Sequence, residues 1–178
     1  MAGVFLGAGA GGAAGQLDKR RPEHLEILAA GGRDLVGLWQ NVLVLAFRNL
    51  PTVEQLESLA RIQREVAERF PSGYAAIALL PGLSRPLDGS VRESALALTS
   101  ASPAELRGVA MVIDGRGFLA ATTRSMATGI VLLTRPRWPV RIFPGVEPAA
   151  VWVSAWVDRA VRPTAPRRIT DAIKHTLI

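Results

Sequence analysis

The residues best suited to chemistry in this chain are charged residues and glycines that follow two short apolar segments. Asp114–Gly117 comes directly after the apolar run Gly108–Ile113, and Arg85 lies in a loop after the run Tyr74–Leu80. In an open α/β sheet, ligands bind just outside the carboxyl ends of the strands, so these two loops are expected to lie side by side. Arginine supplies a forked positive group for a carboxylate or phosphate, and glycine lets the backbone approach a ligand closely. The candidate binding residues are therefore Arg85, Asp114, Gly115, Arg116 and Gly117.

The same cluster has a purely structural alternative. Asp114 has the residue type of a helix N-cap, and Arg116 would then be a solvated surface residue. A ligand at this rim and a simple cap are both compatible with the sequence.

Residue types that carry most enzyme chemistry are scarce here. The chain has no cysteine, which excludes disulfides, thiol catalysis and cysteine-bound zinc. Its two histidines, His24 and His175, fall outside the predicted fold, so a histidine base or metal site is poorly supported. We therefore expect a non-catalytic protein without a metal or cofactor.

A glycine motif near the start, Gly7-x-Gly9-x-x-Gly12, matches the dinucleotide-binding fingerprint by letter. That fingerprint requires a preceding strand, a following helix and an acidic residue about twenty positions later. Repeated glycine and alanine produce the same spacing by chance. The segment also lacks a basic residue before its apolar stretch, unlike a secretory signal. We interpret residues 1–33 as a Gly/Ala-rich flexible arm.

Alternating strands and helices follow this arm. The apolar runs that predict strands are Leu35–Trp39, Val42–Phe47, Tyr74–Leu80, Gly108–Ile113 and Pro139–Phe143, the first two forming a hairpin through Gln40-Asn41. Asn41 suits the second position of this turn because asparagine tolerates positive φ. The pattern predicts an α/β fold with a mixed four- to five-stranded sheet covered by helices.

Sequence patterns typical of helices lie between these predicted strands. Thr52 and Gln55 form a capping box, and apolar residues spaced three and four apart continue to Phe70. A long helix is predicted over 118–133 and a final one over 149–160, in which Trp152 and Trp156 serve as core anchors. The predicted core centres on Ile77, Val112, Phe143 and Trp152.

The chain carries a net charge of +6, and the excess lies near its C-terminal end. Residues 35–158 hold 12 arginines against 10 acids, whereas five basic residues and one acid follow from Arg159 onward. We therefore predict an α/β domain at 34–160 and a basic tail at 161–178 with a short amphipathic helix. That helix either docks on the domain or acts as an interaction or membrane-surface segment. A nucleic-acid partner and a membrane span are not expected.

The order of elements over 35–160 resembles the STAS-type fold of the SpoIIAA-like superfamily, which includes bacterial anti-sigma-factor antagonists. Three segments carry this resemblance: Asn49–Thr52 entering a capped helix, Val109–Asp114 entering a long helix, and Val140–Phe143 leading through Glu147–Trp152. The resemblance implies a non-catalytic regulatory domain that binds partner proteins, often switched by phosphorylation of a serine near the start of the second of these helices. Gly115–Phe118 contains no hydroxyl at those positions, so we expect no such switch there.

These observations predict a STAS-like regulatory or protein-binding module located in the cytoplasm, with another protein as its partner. The alternative is a sensor that binds a small anion or nucleotide at the carboxyl rim of the strands.

Overall fold

The computed structural model describes residues 24–31, 34–49, 51–80, 89–114, 118–160 and 162–177. One six-stranded mixed sheet and five helices make up this part of the chain, which confirms the α/β class and adds strands to the four or five expected. The strands are β1 (Glu26–Gly31), β2 (Asp34–Trp39), β3 (Val42–Ala46), β4 (Tyr74–Leu80), β5 (Leu106–Ile113) and β6 (Val140–Phe143). The helices are α1 (Val53–Arg69), α2 (Gly89–Ala101), α3 (Phe118–Thr134), α4 (Val146–Val153) and α5 (Ala165–Leu177), with a 3-10 turn at Ser154–Trp156.

Strand order in the sheet follows chain order from β1 to β6. The first three strands are antiparallel, and β3 to β6 are parallel. The register aligns Val44, Ile77, Ala110 and Arg141 in one row across the parallel part. Val44, Ile77 and Ala110 are apolar because β3, β4 and β5 are covered on both faces, as expected for parallel strands.

Alternate side chains divide the sheet into two faces. What we call the first face includes Leu43, Leu45 and Tyr74, and α1 packs on it through Leu59 and Val66. The capping box predicted at Thr52 is present and fixes the start of α1, with Thr52 N–H donating to Gln55 at 2.8 Å. α2 lies against α1, and the Ser102 hydroxyl after α2 donates to the buried Gln63 of α1 at 3.0 Å.

The second face is covered by the last two helices. It consists of Val42, Val44, Ala75, Ile77, Ala110 and Val112. Ala149, Ala150 and Val153 of α4 pack on it together with Ala165, Ile169, Ala172 and Ile173 of α5. Of the two alternatives for the tail helix, docking is therefore the one observed. The helix begins at Ala165, and Pro166 sits in its first turn, where a missing N–H costs no helical hydrogen bond.

β1 lies within the segment that the sequence indicated as an arm. It pairs antiparallel with β2, with a register shift between Ile27 and Ala29. Its alanines and glycine have low strand propensity, which explains why the pattern was not recognised. The strand is also held by Glu26, whose carboxylate accepts two hydrogen bonds from Arg69, at 2.9 and 2.8 Å.

The hairpin between β2 and β3 is present, but its turn differs from the expected one. Gln40, and not Asn41, has positive φ, at 54°. The Asn41 amide instead donates to the carbonyl oxygens of Gly73, at 3.1 Å, and Trp156, at 2.9 Å. This side chain ties the hairpin to the start of β4 and to the turn after α4.

We expect Ile169→Ala to lower the free energy of unfolding by about 2–5 kcal/mol, because Ile169 is fully buried between α5 and the second face. The measurement is urea unfolding, with Val151→Ala as the control because that side chain is 60% exposed. A loss as small as that of the control would show that α5 is not part of the folded core.

We expect the Glu26–Arg69 pair to stabilise the fold only above acidic pH. The hydrogen bond from Arg69 lowers the pKa of Glu26 below 4.5. The contribution of the pair to the free energy of unfolding is therefore complete above pH 4.5 and is lost as the pH falls through the folded-state pKa of Glu26. Both side chains are partly exposed, so Glu26→Gln should cost about 0.5–1 kcal/mol at neutral pH.

The pH test compares urea melts of wild type and Glu26→Gln at neutral pH and at successively lower pH. The difference should close on acidification, while Glu57→Gln, an exposed change on α1, controls for the loss of one negative charge. A difference that is constant with pH would contradict this assignment.

Candidate functional site

The parallel strands bring their carboxyl ends to one edge of the sheet. Of the predicted binding residues, only Asp114 belongs to the part of the chain that the structure describes, and it is exposed at the end of β5. Arg85, Gly115, Arg116 and Gly117 lie outside the described residues. Arg124 of α3 reaches the same edge, where its Nη1 donates to the carbonyl oxygen of Ile113 at 3.2 Å. Sequence reasoning missed Arg124 because its position within the helix does not indicate which strand end it faces.

A cavity of about 260 Å³ opens at this rim. Its lining combines the aliphatic residues Leu79, Leu80, Val112, Val146 and Ile173 with the charged residues Asp114 and Lys174. Lys174 comes from α5, the predicted tail helix, so the sequence analysis did not place it near the rim. The sequence does contain one indication that Lys174 lies near the sheet. Lys174 follows Ile173, which belongs to the apolar stripe of that helix.

Lys174 is held at the cavity by an ion pair. Its Nζ lies 2.6 Å from Oε1 of Glu147, in the first turn of α4. The hydrogen bond with Lys174 is the main reason that the pKa of Glu147 is lowered, and the same bond raises the pKa of Lys174. Both side chains are more than half exposed, so the pair positions a positive charge and contributes little to stability.

Tyr74, the only tyrosine of the chain, is fully buried. Its hydroxyl is buried and has no hydrogen-bond partner among the described residues. Burial raises the pKa of this phenol, which disfavours the reactive anion. Tyr74 begins β4, at the end of the strand opposite the rim cavity, and therefore does not assemble with Asp114 or Lys174.

A second feature is an aromatic patch beside β6, which we define as Arg141, Phe143, Val151, Trp152 and Trp156. The ring centroids of Trp152 and Trp156 are 4.6 Å apart in an edge-to-face arrangement, and Phe143 lies 5.9 Å from Trp152. The Arg141 guanidinium lies over the Trp152 ring, with its carbon 5.8 Å from the ring centroid. These distances are typical of aromatic pairs and cation–π contacts.

The local sequence explains how this patch forms. Arg141 and Phe143 alternate along β6 and pair with Ala110 and Val112, which places them on the second face beside α4. Gly108 lies beneath the two indoles: a Cβ there would stand 3.0 Å from Cη2 of Trp152. A glycine at this position of β5 therefore lets both indoles lie on the strand backbone.

The patch reaches the surface. Trp152, Trp156 and Phe143 are only partly buried against the second-face core, although Trp152 and Phe143 were predicted core residues beside Ile77 and Val112, which are buried. Val151 is 60% exposed, the highest exposure among the large apolar residues that the structure describes. Tryptophan and arginine, which occur together in this patch, are among the residue types enriched at protein-binding hot spots.

Within the described segments, no three His, Asp or Glu side chains are grouped closely enough to hold a metal ion. No helix of those segments is long and apolar enough to cross a membrane. Comparisons with protein-family models, with curated proteins and with solved structures found no match to this chain.

Proposed function

We propose that this chain is a non-catalytic, regulatory protein-binding module of STAS-like type that works in the cytoplasm. The observation that supports this proposal is the aromatic patch, in which Val151 is exposed and two indoles are only partly buried on a folded surface. Covering exposed apolar groups of this kind with another surface removes them from water and therefore favours association. Burying a valine side chain alone contributes about 1.5–3 kcal/mol.

The patch has features that suit a binding surface. Trp152 and Trp156 are fixed by each other and by the backbone of Gly108, so little side-chain freedom remains to be lost on association. Val151 stands beside them on α4, whose Ala149 and Ala150 are buried in the core. The binding groups are therefore placed on a rigid element.

The STAS-like part of the proposal is supported by the order of elements. The parallel strands follow chain order, with a helix after each of β3, β4, β5 and β6, as the resemblance implies. Because Gly115–Phe118 offers no hydroxyl group, we propose that the module binds its partner without phosphorylation at those positions.

We expect Val151→Asp to reduce partner binding about tenfold or more, because it replaces the most exposed apolar side chain of the patch with a charge. The measurement compares proteins captured from native lysate by wild type, Val151→Asp and Leu96→Asp, followed by isothermal titration with the purified partner. Leu96 is the matched control, since it is 42% exposed on α2, the helix that packs on α1.

Both variants should keep the wild-type melting temperature, which ensures that a binding loss is not an unfolding effect. Equal binding by wild type and Val151→Asp would exclude the patch as the binding surface.

A second function is favoured by the rim cavity. The Lys174 ammonium has three donor protons, and the bond to Glu147 uses one of them. At about 260 Å³ the cavity lies below the range of about 300–1,000 Å³ typical of drug-sized ligands. A sensor at this site would therefore take a small anion with an aliphatic body in preference to a nucleotide.

For this second function we expect millimolar butyrate to raise the melting temperature of wild type, because its chain fits the aliphatic lining and its carboxylate reaches Lys174. Lys174→Met should abolish the shift. Arg167→Met is the control, since Arg167 is 91% exposed on the same helix and does not line the cavity. Absence of a shift in wild type with both butyrate and inorganic phosphate would exclude this small-anion sensor.

A further inference from the structure

We infer that the partner of the aromatic patch is an acidic protein segment that carries an aliphatic or aromatic anchor. The anchor contacts Val151 and the exposed edges of Trp152 and Trp156, and neighbouring carboxylates pair with arginines around them. This inference rests on the proposed function and specifies the chemistry of the partner.

The charges around the patch favour an acidic partner. Arg141 lies within the patch itself, and Arg162 borders it, with Nη2 donating to the carbonyl oxygens of Ala155, at 2.9 Å, and Val157, at 3.4 Å. These carbonyl groups flank Trp156 in the sequence. One guanidinium therefore lies near the Trp152 ring and another binds the backbone next to Trp156.

The segment that surrounds the patch also carries a net positive charge. Residues 135–177, which form β6, α4 and α5, contain eight basic residues and three acids. In contrast, α1 carries four glutamates and three arginines. The positive excess of the molecule is therefore concentrated on the elements that build or adjoin the patch, where it would attract an acidic segment and orient its approach.

Arg141 can bind a carboxylate while it keeps its place over Trp152. The carbon of its guanidinium lies 5.8 Å from the centroid of the Trp152 ring, and the N–H donors of a guanidinium form a fork that matches the two oxygens of a carboxylate. Lysine would lack this geometry. The contact would be strengthened because Trp152 limits the motion of the arginine before the partner arrives.

A nucleic acid would need open ring faces on which bases can stack. One side of Trp152 is occupied by Arg141, and the edge-to-face contact with Trp156 takes up more of its surface. Val151, the most exposed group of the patch, offers an aliphatic surface that neither bases nor phosphates require. A protein segment uses all of these groups.

A second copy of this chain is also a poor match. A two-fold contact would bring the patch against an identical patch, so that both halves of the interface would carry arginines and neither patch would offer a carboxylate to pair with them. Like charges placed together disfavour association. The charge distribution therefore selects a partner of different composition.

The test is selection from a random peptide display library on immobilised full-length chain, with Val151→Asp and Arg141→Gln as parallel baits. We expect wild type to enrich peptides in which Asp or Glu flanks Leu, Ile, Phe or Trp. A synthetic peptide from this set should bind with an affinity that falls as salt is raised, and Arg141→Gln should weaken it about fivefold or more. Leu96→Asp should bind like wild type.

The outcomes separate the two proposals. Enrichment of neutral or basic peptides that Val151→Asp fails to bind would overturn the acidic partner and leave the protein-binding function in place. If Val151→Asp binds the enriched peptides as wild type does, both the acidic partner and the binding function of the patch are overturned. Tight binding of a fluorescent oligo(dT) probe that is abolished by Arg141→Gln would also overturn both proposals. A selection without any enriched peptide would overturn a linear acidic segment as the partner.

Discussion

The structure depends on the need to cover the second face of β3, β4 and β5. The strands follow chain order, and parallel crossovers share one handedness, so successive connecting helices are directed to the same side of the sheet. α1 and α2 accordingly lie on the first face. The valines, alanines and isoleucine of the second face must therefore be buried by chain that comes after the last strand, and α4 and α5 supply it.

Both candidate sites are products of this arrangement. α5 lies against the second face through Ile169 and Ile173, and the residue next to Ile173 becomes the cation of the rim cavity. α4 buries Ala149, Ala150 and Val153, which leaves Val151 pointing outward and sets Trp152 against β6. The same two helices therefore complete the core and carry the surfaces proposed for binding.

The sequence predicted those parts of the fold that depend on neighbouring residues. The capping box of Thr52, the strand β4 with its continuous apolar run, and the α/β class all follow from local patterns. β1 was missed because Ala29, Ala30 and Gly31 become a strand only through pairing with β2 and the contact between Glu26 and Arg69.

The candidate sites were harder to predict for a related reason. Asp114 was identified because a charged residue at a strand end has a local signature. Lys174 reaches that rim only through the docking of α5, and the exposed edge of Trp152 results from its place beside the last strand of the sheet. Their spacing of four residues indicates that Trp152 and Trp156 lie on one side of the predicted helix, but not that both indoles remain partly exposed.

The docking of α5 also has a consequence for the kinetics of folding. Val42 and Ile169 belong to one apolar cluster, although they lie near opposite ends of the described chain. During synthesis, β3 leaves the ribosome long before α5, and its second face is incompletely covered until that helix emerges. Contacts of such long sequence separation slow folding and prolong the exposure of apolar surface. The nascent chain should therefore be a substrate for chaperones until α5 is available, whereas the finished domain hides the same residues completely.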